Sequence, residues 1–310
     1  MKKKSALYYI GIDSGGTKCE LLIASENKKI IFKKLYKGVH YSVSGPEIYN
    51  DEVSGFIFDA LKNAGLKIEN CISICFGIAG AREENDRIKL NKLFRRKLGS
   101  ENIVITTDAM TALYGAFEGD EGIILISGTG SVLYGFSKDK ITRVGGWGRI
   151  IGDEGSGYWI GKRALNLATK EYDRKNIRQS LFTKKLEQEF GITKANINQK
   201  TFSAGFEIQS IAPLVLHCAA LKCKLSSVVV NEAVSGLLEH LTTFLEVSKR
   251  KSEIQMSFIG SIVENKNILS DNLKKEIRKL KIVKVVPKKH SSSFGAVLLA
   301  AENSDITKKL

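Results

Sequence analysis

The chain has 310 residues and is 43% hydrophobic, enough for more than one packed core, and no apolar run approaches the ~20 residues of a membrane span. Its formal net charge of +15 comes from lysines dispersed along the chain, often in pairs such as Lys28-Lys29, Lys184-Lys185 and Lys288-Lys289. With no arginine-rich arm and no basic stripe interleaved with aromatics, this distribution argues against a nucleic-acid partner.

The apolar run 8–12 reads as a strand, followed by the turn DSGGT, a second strand over 19–24 and a third over 30–35. Helical spacing over 51–64 precedes a strand at 72–78, a charged helix at 82–98 and a strand at 102–107. Asp108 follows that strand, and a helix is expected over 109–117. At Gly122 the pattern restarts, with strands at 123–126, 132–136 and 141–144. A three-strand meander followed by alternating elements, occurring twice, suggests an internal duplication. The later chain reads as helices over 158–172, 181–189, 206–220 and 228–247. A strand over 254–259 ends at Gly260-Ser261, and helix 269–280, strand 282–286 and helix 293–302 complete the pattern.

Two glycine turns carry the chemical signal: GIDSGGTK (11–18) and ISGTGS (126–131). Each leads from strand to strand. A Walker A loop or a dinucleotide fingerprint leads from strand to helix, so both are excluded. Two hairpins that each offer backbone N–H groups and a Thr hydroxyl suggest two halves gripping one polyphosphate. That pattern points to an ATP-dependent small-molecule kinase. Asp108, between a strand end and a helix start, suits a helix N-cap. It also stands at the carboxyl end of a strand, where ligands bind in open α/β sheets.

The motifs Asp13-Ser14-Gly15-Gly16-Thr17, Thr107-Asp108-Ala109, Ser127-Gly128-Thr129-Gly130-Ser131 and Gly145-Gly146-Trp147-Gly148 occur in order, followed by Gly152-Asp153-Glu154-Gly155-Ser156-Gly157. Together they resemble the N-acetylglucosamine kinases of the BadF/BadG/BcrA/BcrD ATPase family, within the actin, Hsp70 and sugar-kinase superfamily. The resemblance spans about residues 10–301. It implies an α/β protein with two ribonuclease H-like (actin-like ATPase) domains around an interdomain cleft. The expected division is 1–118 plus 291–310, and 119–290 with a helical insertion.

The resemblance implies ATP and Mg²⁺, with Asp13 holding the metal through water. It places Gly15, Gly16, Thr17, Lys18 and Thr129 on the phosphates, and Ala204, Gly260 and Ser261 on the nucleoside. Asp108 becomes the base on a sugar hydroxyl. His40, Gly130, Ser131, Gly146, Trp147, Gly148 and Asp153 become sugar contacts. The reaction implied is phosphorylation of an N-acetylated amino sugar, foremost N-acetylglucosamine at its 6-hydroxyl. One position departs from the pattern: His40 stands where the resembled kinases carry a sugar-binding Asn. A histidine there suits an anionic acceptor such as N-acetylmuramic acid, or is a plain surface-loop residue.

Five cysteines, an odd number without zinc-finger spacing, suggest reduced buried thiols and a cytoplasmic setting. Cys71 and Cys75 are expected inside a strand, and Cys218 and Cys223 inside a helix. Two alternatives stay open. One is the ATPase activator of a 2-hydroxyacyl-CoA dehydratase or benzoyl-CoA reductase system, which bridges an iron–sulfur cluster through exposed cysteines. The other is a non-catalytic sugar sensor. The expected partner is a small sugar, without nucleic acid or membrane, and a homodimer is consistent with the resemblance.

Overall fold

The structure, a computed structural model, describes residues 6–137, 140–174, 179–203 and 205–307. The chain forms two units that divide after Asp120 and after Pro287, so the first unit takes both ends of the chain and the second takes Glu121–Pro287.

The first unit begins with β1 (Tyr8–Ser14), β2 (Lys18–Ser25) and β3 (Ile30–Lys37), an antiparallel meander. Helix α1 (Tyr41–Ala64), β4 (Cys71–Ile78), α2 (Glu84–Leu98), β5 (Ile103–Thr107) and α3 (Asp108–Phe117) follow. The sheet order is β3-β2-β1-β4-β5, with β4 parallel to β1 and to β5. Strand β1 is central and buried on both faces, and its side chains alternate between two cores. Tyr8, Ile10 and Ile12 pack with Tyr49, Val53, Ile57 and Phe94 of α1 and α2.

The second unit repeats the plan. Strands β6 (Gly122–Ser127), β7 (Ser131–Ser137) and β8 (Lys140–Gly145) form the meander. Helices α4 (Gly157–Asp173), α5 (Leu181–Phe190), α6 (Ile197–Phe202), α7 (Ala212–Ala220) and α8 (Lys224–Ser248) then precede β9 (Ile254–Ile259), α9 (Ile268–Lys279) and β10 (Val283–Val285). The order β10-β9-β6-β7-β8, with β9 parallel to β6 and to β10, reproduces the first sheet's order and sense. The chain then returns to the first unit as α10 (Ser292–Thr307), where Ala296, Val297 and Ala300 cover Tyr9, Leu22 and Cys75 on the other face of β1.

Several local expectations are corrected. Helix α1 starts at Tyr41, ten residues before the expected helix, because a first turn is separated from the main helix by Gly45 at φ 75° and Pro46. Proline suits the first turn of a helix, so Gly45-Pro46 starts the main helix after a bend. The helix expected over 206–220 divides into a 3₁₀ turn at Ile208–Ile211 and α7, with Pro213 in the first turn of α7. Cys223 is not inside a helix but stands at the N-cap position of α8, without a side-chain capping hydrogen bond. Cys71 is only half-buried, whereas Cys75 is fully buried as expected. Among the described residues no single helix is long and apolar enough to cross a membrane.

Candidate active site

In the first unit, the chemistry gathers where β1, β4 and β5 end. The N–H of Ala79, just past β4, donates to the Ser14 carbonyl at 2.9 Å and ties two of these strand ends together. Asp13 is the penultimate residue of β1 and pairs across the hairpin with Glu20. Asp108 opens α3 directly after β5.

Asp108 does not cap that helix. Thr107 is the N-cap, its side chain accepting from the Met110 N–H at 3.3 Å. The Asp108 Oδ1 accepts from the Ala109 N–H at 3.0 Å, and the carboxyl group remains half-buried. A capping threonine therefore frees the aspartate from the structural role its position suggests.

Three carboxyl groups share this corner. Burial pushes Asp13 up to about 7, reinforced by the charges of Asp108 and Glu20 and opposed by Lys18 and a hydrogen bond from Ser292. Burial also raises Asp108, opposed by the Ala109 N–H and by the positive charge of Arg82. Burial acts on Glu20 in the same direction, but the Ser293 hydroxyl and the Lys33 ammonium outweigh it and hold Glu20 below its ordinary value. Ser293 Oγ donates to Glu20 Oε1 at 2.5 Å and Lys33 Nζ lies 2.9 Å from Oε2. Glu20 thus anchors the start of α10 to β2, and Ser292 of the same turn reaches Asp13.

The hard-oxygen set of Asp13 and Asp108, with Asp13 destabilised as an anion, fits Mg²⁺, which takes one or two protein carboxylates and keeps its waters. Among the described residues no group of three or more His, Cys, Asp or Glu is arranged to hold a metal.

The first glycine turn is exposed over Gly16, Thr17 and Lys18. The Gly15 N–H already donates to the Lys18 carbonyl at 2.9 Å, which leaves the Gly16 and Thr17 N–H groups as the turn's other backbone donors. His40 precedes α1, and its exposed ring lies against Gly16: a Cβ there would fall 2.6 Å from His40 Cδ2.

In the second unit, the β6–β7 turn, the 145–157 loop and the Gly260 turn meet. The N–H of Gly157, the first residue of α4, donates to the Gly128 carbonyl at 2.7 Å and that of Tyr158 to the Thr129 carbonyl at 3.3 Å. Ser127 Oγ donates to the Gly155 carbonyl and Ser131 Oγ to the Glu154 carbonyl, at 2.9 and 2.7 Å. The Ser131 hydroxyl is therefore engaged within the protein, while Thr129 is exposed.

Asp153 is 8% exposed and adopts the left-handed conformation at φ 59°. Aspartate tolerates that region better than most side chains. Its Oδ1 accepts from the Gly148 N–H at 3.1 Å, and its Oδ2 lies against Gly130. The buried carboxylate so links the second glycine turn to the Gly145-Gly146-Trp147-Gly148 loop. Trp147 is 71% exposed, with the Arg143 guanidinium 5.1 Å from its ring centre, and is not a core aromatic.

Gly260 is required by backbone proximity. At φ 98°, a Cβ there would lie 2.4 Å from the Ser127 carbonyl oxygen. Ser261 beside it lines a cavity of about 370 Å³ with Pro213, Leu216, His217, Ile262 and Ile268. Ala204 lies outside the described residues.

Four neighbours of these groups escape a reading of the sequence: Arg82, Glu20, Ser292 and His240. His240 of α8 is buried with Nε2 3.6 Å from Glu154 Oε2, and a Cβ on Gly145 would fall 2.2 Å from that nitrogen. Burial lowers its pKa against the opposing charges of Glu154, Glu239 and Asp153. A lone histidine within an apolar helix pattern gives no sequence signal of what it touches. Arg82 leaves more trace, since it follows a strand ending in Gly77-Ile78-Ala79-Gly80.

Residues 10–300 match the BadF/BadG/BcrA/BcrD ATPase family. The chain is 32% identical over 304 residues to the N-acetylmuramic acid/N-acetylglucosamine kinase of Clostridium acetobutylicum, covering 96% of this chain and 99% of the relative. It is 27% identical over 315 residues to the N-acetyl-D-glucosamine kinase of Dictyostelium discoideum, covering 94% and 97%. A crystal structure from Chromobacterium violaceum, described as a candidate N-acetylglucosamine kinase, superposes with a TM-score of 0.76 at 25% identity, covering 95% and 99%. With the family match spanning nearly the whole chain, the protein belongs to the BadF/BadG/BcrA/BcrD ATPase family.

Proposed function

We propose that the chain is an ATP-dependent kinase that phosphorylates an N-acetylated amino sugar, foremost N-acetylglucosamine at its 6-hydroxyl. The observation that carries this is the half-buried Asp108 carboxyl directly after β5, raised above its ordinary value by burial and acting by its charge on Asp13. The amino-sugar kinases of Clostridium acetobutylicum and Dictyostelium discoideum, each aligned over nearly its full length, support the substrate class.

Asp108 accepts a hydrogen bond from the acceptor hydroxyl and orients its oxygen toward the γ-phosphorus. A new oxygen–phosphorus bond forms as the bond from that phosphorus to the bridging oxygen of ADP breaks. The hydroxyl proton passes to Asp108. In a loose transition state the proton leaves late, so placement of the carboxylate matters more than its basicity. Asp13 would hold Mg²⁺ through water, and the bound ion would neutralise phosphate charge. In the first unit the Gly16 and Thr17 N–H groups and Lys18 are the groups suited to phosphate oxygens; in the second unit the exposed Thr129 is. Trp147 offers an apolar wall to the sugar ring, and Gly130, Gly146 and Gly148 let backbone approach it. The cavity beside Ser261, lined by Leu216, Ile262 and Ile268, suits the flat apolar faces of adenine.

The activator reading needs exposed thiolates. Cys19, Cys75, Cys218 and Cys223 are buried, and burial pushes the thiols of Cys19 and the half-buried Cys71 up to about 12. The experiment that tests the kinase reading is phosphorus NMR of the product formed from ATP and N-acetylglucosamine. A 6-phosphate supports it, and absence of any sugar phosphate contradicts it.

A further inference from the structure

In the first unit a cavity of about 360 Å³ opens beside the catalytic corner, lined by Gly16, His40, Ser42, Ala79, Gly80 and Arg82. It lies at the carboxyl ends of β1 and β4, the side of an open α/β sheet where ligands bind. Its walls carry two nitrogen-bearing side chains and no carboxylate.

Arg82 is held there by its backbone. Its N–H donates to the Gly80 carbonyl at 2.9 Å, and Arg87 Nη1 reaches the carbonyls of both Ala81 and Arg82. The guanidinium itself is exposed and makes no hydrogen bond or ion pair among the described residues. His40 is fixed by its ring against Gly16, and its carbonyl accepts from the N–H groups of Val43 and Ser44. Ser42 adds a hydroxyl that a Cβ on Gly80 would crowd at 2.7 Å.

The guanidinium faces a cavity whose wall holds no carboxylate to neutralise it, so the arrangement is best matched to an anionic group on the acceptor. A guanidinium binds a carboxylate through two parallel N–H bonds, and the imidazole adds a third donor.

We infer that Arg82, assisted by His40 and Ser42, forms a subsite for a carboxylate carried by the acceptor sugar. The inference rests on the kinase reading for the identity of the acceptor, but its binding test does not require turnover. N-acetylmuramic acid and its methyl ester differ in the one charge at issue.

Calorimetric titration of both compounds into the wild-type protein and into Arg82→Gln is the test, with thermal melting as the check on folding. The acid should bind the wild type about ten- to a hundredfold more tightly than the ester, and Arg82→Gln should abolish that difference. His40→Asn should shrink it. In turnover, Arg82→Gln should lower kcat/KM for N-acetylmuramic acid relative to N-acetylglucosamine by at least tenfold. Equal binding of acid and ester to the wild type, or an acid preference that survives Arg82→Gln, overturns the subsite. A fall in ATP affinity with equal loss on both sugars also overturns it, by assigning Arg82 to the phosphates. An Arg82-dependent acid preference without sugar-stimulated ADP release keeps the subsite and rejects the kinase reading.

Discussion

Asp108, the first residue of α3, lies close enough to Asp13 at the end of β1 that its charge helps hold the Asp13 carboxyl at about 7. Two acids whose ionisations oppose each other have little structural use. They suit a site that receives a cation and a reacting hydroxyl together. Asp108→Asn should therefore lower kcat by about 10²–10⁴-fold while nucleotide affinity changes little. Fluorescent-nucleotide titration beside a turnover assay checks this. Equal loss of both would show that the residue supports the fold instead.

Asp13 gives a stability prediction of definite sign. Its folded value of about 7 lies above the ordinary 3.8 of an aspartate, so between those limits the folded chain holds more protons than the unfolded one. The group's contribution is then favourable at low pH and is lost as pH rises to about 7. Above pH 7, without metal, Asp13→Asn should raise the melting temperature by a few degrees, on the order of 2 kcal/mol after allowing for screening. The same variant should lose activity and lose stabilisation by Mg²⁺-nucleotide. A variant that melts at or below the wild-type temperature would contradict the assigned electrostatics.

The raised Asp108 also sets the direction of the pH–rate profile. A base must be ionised to accept a proton, so kcat/KM should fall on acidification with its midpoint above the ordinary carboxylate range. Measuring kcat/KM between pH 4 and 9 with saturating Mg²⁺ checks it. A midpoint near 3.8 would remove the burial argument.

Gly260→Ala places a methyl 2.4 Å from the Ser127 carbonyl in a backbone region that L side chains rarely adopt. It should destabilise the protein by about 1–3 kcal/mol and raise the KM for ATP, because Ser127 precedes the second glycine turn. Leu216→Asn, on the cavity wall beside Ser261, should raise the KM for ATP severalfold with little effect on the sugar KM. If sugar KM moves instead, that cavity is not the nucleoside's place.

Much of this arrangement was legible in the residues. The apolar run of β1 and its repetition in β6, each closed by a glycine turn, announce two related sheets, because a strand buried on both faces reads as a continuous apolar run. The start of α1 was hidden, since Gly45-Pro46 reads as an ordinary turn until the short helical turn before it is seen. Asp108 could be separated from a capping role only by finding that Thr107 caps the helix. Arg82 acts by its charge on Asp108, and His240 by contact with Gly145 and Glu154, relations across the fold that no local pattern encodes.

The most direct measurement is ADP release from Mg-ATP against N-acetylglucosamine, N-acetylmuramic acid, glucosamine, N-acetylmannosamine, glucose and no sugar. The account predicts strong stimulation by an N-acetylated amino sugar and little turnover without one. Steady ATP hydrolysis that no sugar changes would contradict it and favour an activator ATPase.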